Sequence, residues 1–374
     1  MSVFVPPFCP NRFCLYHEPS GAYSHFISWG SYPTRTFGTV PRFKCLACGK
    51  TFSRQTFSLD YYAKRLLDYE VIARRLASCE SLSAIGRAHH ASTDSISNRI
   101  SRAARQTLAF ESQLADNRHP NEDLTADGFE SFCVSQYFPN NITILVGKNS
   151  QFLYAADHAS LRRKGRMTKV QRKRRDIFDT VFKPPARAIE SSFTEIALES
   201  LRVMQDGGRS PLVLWTDQHR AYRRALKEQP HLARLIETGK LIHRTVSSRR
   251  ERTLHNPLFP VNYLDREIRK DLHEHVRETV CFGRNVNRQM ERFALYLFWH
   301  NYRKAHRVRG APQSHAEFAG YDARRIEGGL GTIWRKRAWL SLIEVAVWME
   351  KIWRRLYKTP LGKRRDYLPA YALG

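Results

Sequence analysis

Acidic residues are scarce in this chain: 35 Asp and Glu stand against 62 Lys and Arg, which leaves a formal charge of +27 over 374 residues. So large a deficit of negative charge points to a polyanionic partner, most simply nucleic acid. Long apolar runs are missing too. The longest candidate, residues 338–349, carries Glu344 and falls short of the roughly 18 residues a membrane helix needs, so no membrane partner is expected. The opening Met-Ser-Val-Phe-Val-Pro-Pro lacks the charged and apolar regions of a secretory signal, which predicts a cytoplasmic protein. Cysteine is sparse and odd in number, seven in all, which suits a reducing compartment better than a disulfide scaffold. Complete phosphate-loop motifs are absent as well. Gly49-Lys50-Thr51 has Lys44 where a P-loop needs its first glycine, and Gly329-Leu-Gly331 lacks a third glycine and a preceding strand. No nucleotide cofactor is therefore expected. Nor does a G-x-S-x-G stretch support a serine nucleophile.

What is present is a folded composition, 42% apolar with 21 Phe, and length enough for two or three domains. Residues 1–58 hold Cys9 and Cys14 in a C-x4-C spacing, then Cys45 and Cys48 in a C-x2-C spacing followed by Gly49. Two such pairs can offer four thiolates to one tetrahedral Zn²⁺. The aromatic residues around them (Phe13, Phe37, Phe43, Phe52, Phe57) make a core so small that it needs the metal to fold, and a zinc ribbon is expected. His17 is a surface histidine or a substitute ligand. Cys79, Cys133 and Cys281 have no comparable spacing and read as ordinary core thiols.

Residues 59–118 read as helical. Ile85 and Ala88 mark one short helix, a turn follows near 90–92, and Thr93 can cap a second helix with Ile96, Ile100 and Ala103 or Ala104 inward. Its outer face is expected to carry Ser95, Asn98, Arg99, Arg102 and Arg105. That pattern predicts a helix-turn-helix whose second helix enters the major groove of double-stranded DNA, where Arg reads guanine and Asn reads adenine.

Residues 119–304 change to an α/β texture. Strands are predicted at 124–132, 141–147 and 151–156, joined by short turns as a meander. A basic run follows, with Arg162, Arg163, Lys164, Arg166, Arg172, Lys173, Arg174 and Arg175, expected to be a phosphate-contacting arm rather than a merely solvated loop. A helix is predicted over 189–204, ended by Gly207-Gly208. A short buried strand at 212–215 leads to Asp217, and a helix at 220–236, a strand at 240–245 and a long helix at 261–280 complete the order. This β-β-β-α-β-α-β-α order is ribonuclease-H-like: a mixed sheet in which the first strand, the end of the fourth and one face of the last helix converge.

An acid stands at each converging position: Asp127, Asp217 and, in Val261-Asn-Tyr-Leu-Asp265-Arg-Glu267, a third. Val261, Leu264, Ile268 and Leu272 define the packed side of that helix, with Asp265 at its edge and Glu267 on what reads as a solvated face. Asp265 is favoured, and Glu267 and Asn262 stay open. Asp217 as a plain helix cap is the rival reading of the second acid. Converging carboxylates repel unless a cation neutralises them, and hard oxygen ligands select Mg²⁺ or Mn²⁺.

Taken together, the zinc ribbon, the helix-turn-helix and the spaced acids resemble a DDE/D transposase of a bacterial insertion element. The stretch Val276-Arg-Glu-Thr-Val-Cys-Phe-Gly-Arg284 is similar to a signature of small insertion-element transposases, and 285–303, with Glu291, Trp299 and Asn301-Tyr-Arg303, looks like the helix that follows it. The resemblance covers residues 9–303. It implies Asp127, Asp217 and an acid near 265 as catalytic metal ligands, element ends and target as double-stranded DNA substrates, a homodimer or higher multimer, and a nucleoid-associated location. The family's third acid is usually Glu and by spacing would fall near Asn262, where this chain departs from the pattern. A catalytically inactive DNA-binding regulator is the alternative, and a nuclease that cuts without rejoining a third. Residues 305–374 read as a polar linker to 331 and then a helix over 333–357, in which Trp334, Trp339, Trp348 and Trp353 pack on the core or contact a partner.

Overall fold

A computed structural model of the protein describes residues 4–19, 25–115, 118–276, 279–307, 309–310, 312–362 and 366–374. Arg277 and Glu278 of the signature-like stretch lie outside them. The chain is mixed α/β. A small antiparallel sheet comes first: β1 (Phe26–Thr34), β2 (Gly38–Cys45) and β3 (Thr51–Ser53). Its core is separate from the main one and consists of three cysteines and Phe52, flanked by Phe26, Phe43 and Phe57.

Three helices follow: α1 (Tyr69–Leu76), α2 (Leu82–Ala88) and α3 (Thr93–Ala115). Asp68 and Ser81 cap the first two with their side chains. At the start of α3 the cap is Ser92, whose Oγ accepts the Ser95 N–H at 3.2 Å, rather than Thr93. The turn between α2 and α3 lies against Gly86, where a Cβ would stand 2.8 Å from the Ala91 carbonyl. Only glycine fits there without displacing the turn.

The main sheet contains β4 (Leu124–Phe132), β5 (Pro139–Gly147), β6 (Leu153–Ser160), β7 (Leu212–Asp217) and β8 (Leu241–Val246), in the order β6-β5-β4-β7-β8. The first three pair antiparallel as a meander, and β7 and β8 join in parallel. Between β6 and β7 run α4 (Lys169–Val181) and α5 (Ala188–Gly207), the latter ended by Gly208 at φ +60°. The expected helix over 220–236 is two, α6 (Arg220–Glu228) and α7 (Pro230–Glu237), because Pro230 has no N–H to continue the first. The helix expected over 261–280 is shorter: α8 (Phe259–Asp271) stops at Leu272, which turns extended, and a single 3-10 turn follows. Next comes α9 (Val286–Phe298), extended by a π-helical turn over Trp299–Arg303.

Alternation along the strands assigns the two sheet faces. Thr143 of β5 meets Ser192 of α5, Oγ to Oγ at 3.0 Å. On the other face Phe129 of β4 packs near Phe293 of α9, with ring centroids 6.2 Å apart. The segment expected to be a linker and one long helix is instead α10 (His315–Phe318), α11 (Ala323–Leu330), an irregular stretch and α12 (Val347–Arg354). Trp348 and Trp353 of α12 are fully buried, and Trp334 stacks on Tyr69 and donates to Glu70 at 2.8 Å. No helix among the described residues is long and apolar enough to cross a membrane.

One ion cluster links α3, α9 and α12. Glu291 of α9, 1% exposed, meets Arg105 at 3.0 Å, Arg355 at 2.7 Å, Arg288 at 3.3 Å and the Ser101 hydroxyl at 2.9 Å. Burial pushes its carboxyl up, but the three guanidinium groups outweigh that and hold it at about 2. Glu291→Ala should therefore lower the unfolding free energy by about 3–5 kcal/mol, because buried guanidinium groups lose their counter-ion. Urea denaturation of the variant against the wild type measures it.

Candidate functional site

The register of two strands builds the acidic edge. β4 and β7 run parallel with Ala126 opposite Thr216, so the next residues, Asp127 and Asp217, stand side by side. Asp127 Oδ1 accepts from the Gly128 N–H at 2.8 Å and from the Tyr222 hydroxyl at 3.3 Å. Tyr222, on α6, is fixed by stacking on Phe193, with 4.3 Å between centroids. Asp217 accepts the His219 N–H at 2.8 Å, while the cap of α6 is His219 itself through Nδ1. The cap reading of Asp217 is thereby displaced by a residue two positions on.

Asp265 comes from α8, which packs against β4 and β5. Its Oδ1 is buried and has no hydrogen-bond partner among the described residues. Burial, then the charge of Asp127, push its carboxyl well above the usual range, against the pull of Arg269 and Arg252. Burial and the neighbouring Asp217 likewise raise Asp127 to about 6. All three acids also act on Tyr222, whose hydroxyl is pushed far up, first by burial. The three carboxylates thus share one field. They do not close into a compact cluster: among the described residues, the one group of three or more potential ligand atoms all within 4.8 Å is a set of thiols.

Glu267 is not on a solvated face. It is 8% exposed and bound by Lys270 at 2.7 Å and by Lys304, which hold its carboxyl below the usual range although burial opposes them. The sequence wheel missed this because Lys304 arrives from the turn after α9. Asn262 is half-buried on α8. Arg252, from the segment between β8 and α8, and Arg269 of α8 are cations whose charge acts on these acids.

The thiols are those of Cys9, Cys14, Cys45 and Cys48, three of them buried. Cys9 and Cys48 sulfurs are 3.6 Å apart and those of Cys14 and Cys45 3.7 Å. A tetrahedron with Zn–S bonds of about 2.3 Å has edges of about 3.8 Å, so the set fits a metal such as zinc. His17 is no substitute ligand: it is buried, with Nδ1 on the Cys9 carbonyl at 2.7 Å and Nε2 on Ser341 at 2.7 Å.

The expected reading face of α3 is largely taken up inside the protein. Arg99 is buried, donating to the Arg65 carbonyl at 2.8 Å and lying 3.9 Å from Asp60. Arg102 donates to the Leu59 and Tyr61 carbonyls at 3.0 and 2.6 Å. Arg105 is buried on Glu291 and the Trp353 carbonyl. The physical reason is packing at two places: the segment before α1 lies over Arg99 and Arg102, and α3 continues into the body of the protein, where Arg105 meets α9 and the end of α12 instead of solvent. Only Ser95 and Asn98 of the expected set are exposed.

The basic run is part helix. Arg162 and Arg163 precede α4, with Arg162 paired to Asp179 at 2.6 Å and Arg163 5.1 Å over the Tyr137 ring. Arg175 pairs with Asp176 at 2.8 Å. Lys164, Arg166, Arg172, Lys173 and Arg174 are exposed. Phe178 anchors α4 on Tyr137 and Phe138, 5.3 Å from each.

No protein-family model matches the chain, and no curated protein sequence matches it.

The raised carboxyl of Asp127 carries a pH dependence with a definite sign. The folded protein keeps this proton up to about pH 6, whereas the unfolded chain loses it near 3.8. The folded state thus binds more protons in that window, and its stability falls as pH rises through it. Asp127→Asn removes the term. In metal-free buffer the variant should be more stable than wild type by about 1–3 kcal/mol at pH near 7.5, at about 1.4 kcal/mol per tenfold change in proton affinity. Near pH 4 the gain should vanish, as read by urea denaturation at both values.

Proposed function

We propose that this protein is a DDE/D-type transposase, a metal-dependent DNA strand-transferase that cuts and joins element ends on a ribonuclease-H-like core. The observation that carries the reading is that Asp127 and Asp217 follow the last paired residues of adjoining parallel strands and act on one another, with the unpartnered Oδ1 of Asp265 in the same field. Sheet order supports it as well: a three-strand meander continued by two parallel strands, with the third acid on a helix behind the first strand.

Asp127, Asp217 and Asp265 would hold Mg²⁺ or Mn²⁺. Bound there, the ions supply Lewis-acid activation of a water or 3′-hydroxyl and stabilisation of the leaving oxygen in an in-line phosphodiester attack. The chain's own part is to hold the carboxylates. Tyr222 orients Asp127, the His219 N–H orients Asp217, and burial keeps Asp265 aimed without a competing donor. Double-stranded DNA, both ends and target, is the substrate, and the exposed cations from Lys164 to Arg174 bind its phosphates. Ser95 and Asn98 at the exposed start of α3 are the base-reading candidates that remain. The four thiols hold a structural Zn²⁺. The chain acts as a homodimer or higher multimer, since two ends must be joined.

Incubation of end-containing duplex DNA with Mn²⁺ or Mg²⁺ tests the reading. Wild-type protein should nick and join the DNA, and Asp217→Asn should lose at least about 100-fold of the rate, the size of effect expected when electrostatic support for the reacting oxygens is removed. Metal-dependent binding without any cleavage would favour the inactive regulator, and cleavage without joining the nuclease.

A further inference from the structure

A cavity of about 530 Å³ lies between the cysteine-rich module and the C-terminal segment, away from the acids. The volume is within the roughly 300–1,000 Å³ typical of ligand sites. Four cations line it, Arg12, Arg42, Lys50 and Arg337, and no acidic side chain among the described residues does. Much of the remaining wall is aromatic. Phe13 and Tyr62 are 82% and 72% exposed, although both are large rings that burial would favour. Tyr62 is held at φ +53°, a left-handed conformation a tyrosine avoids unless its surroundings impose it. Arg337 is fixed between two rings, 4.0 Å from the Tyr61 centroid and 4.3 Å from that of Trp339. Trp339 itself is only 6% exposed and backs the wall.

An occupant should therefore be anionic and should offer flat faces to the exposed rings. A nucleotide satisfies both. We propose that this cavity binds unpaired nucleotides of a single-stranded DNA segment, with the bases on Phe13 and Tyr62 and the phosphates on Arg12, Arg42 and Lys50. Alternating rings and cations are how sequence-tolerant single-strand sites are built. The small sheet continues the pattern beyond the cavity: Lys44 lies 4.5 Å over the half-exposed Trp29 ring, which favours a strand over a lone nucleotide. Duplex DNA keeps its base faces stacked and cannot offer them to the rings. The site makes no use of Asp127, Asp217 or Asp265 and stands whether or not the protein cleaves DNA.

The test is fluorescence anisotropy of a labelled oligothymidylate of about a dozen residues, a length within reach of one such site. Phe13→Ala combined with Tyr62→Ala alters only exposed rings, and bound zinc and circular dichroism verify that the variant is folded. The variant should bind the oligonucleotide at least tenfold more weakly than wild type, with less than a twofold change for a duplex. For the wild type, an abasic strand of equal length should also bind at least tenfold more weakly. Equal affinity of wild type and variant would overturn the proposal. So would equal binding of abasic and natural strands, which would leave only charge attraction. Competition by thymidine monophosphate as strong as that of the strand would overturn it too, in favour of a small-nucleotide site.

Discussion

A single buried carboxylate, Glu291, holds three distant parts of the chain together. Arg105 comes from α3, Arg355 from the end of α12 and Arg288 from the first turn of α9 itself. An unpaired charge at that depth would cost several kcal/mol, so the elements are mutually required: each guanidinium is tolerable because the carboxylate is there, and the carboxylate because they are. The consequence reaches α3. With Arg105 committed to Glu291 and Arg99 and Arg102 committed to carbonyls of the segment before α1, the later turns of α3 are part of the body. Its first turns alone project as a surface, rigidly carried by the rest.

Charge works in the opposite sense at the sheet edge. There the register of β4 against β7 places two carboxylates together, and α8 adds a third with no counter-ion touching it. Glu267, two residues from Asp265, shows what a satisfied acid on the same helix looks like: two lysines hold it ionised. Asp127 and Asp265 are pushed the other way, toward holding their protons. Nothing in folding favours that arrangement. On the proposed reading that cost would be offset by a bound divalent cation, which is why the edge, rather than the ion-paired acids elsewhere, is the proposed site.

Much of this was legible in the residues. The apolar runs 124–132 and 212–217 end in, or contain, the acids they position, so strand pattern and site were read together. The two cysteine pairs announced themselves by spacing, and their sulfurs do meet. Other features depend on contacts far apart in sequence. A helical wheel put Arg99, Arg102 and Arg105 outside because it could not know that the segment 59–65 would take up the first two and Trp353 and Glu291 the third. The same limit put Glu267 in solvent, since Lys304 lies 37 residues on. Helix lengths failed for local reasons: Pro230 divides one helix, and α8 ends where Leu272 turns extended into the sheet's core. The basic run gave its charge but not its helix, because α4 is held by two phenylalanines downstream of the run, Phe178 and Phe182.

The central claim is that Asp127, Asp217 and Asp265 form one divalent-cation site. Mn²⁺ binding followed by electron paramagnetic resonance tests it without any DNA. Wild-type protein near pH 7.5 should bind Mn²⁺ with loss of the free-ion signal, and Asp127→Asn and Asp265→Asn should each weaken that binding at least tenfold while Glu267→Gln leaves it unchanged. Equal Mn²⁺ binding by wild type and both Asn variants, or none by the wild type, would contradict the account.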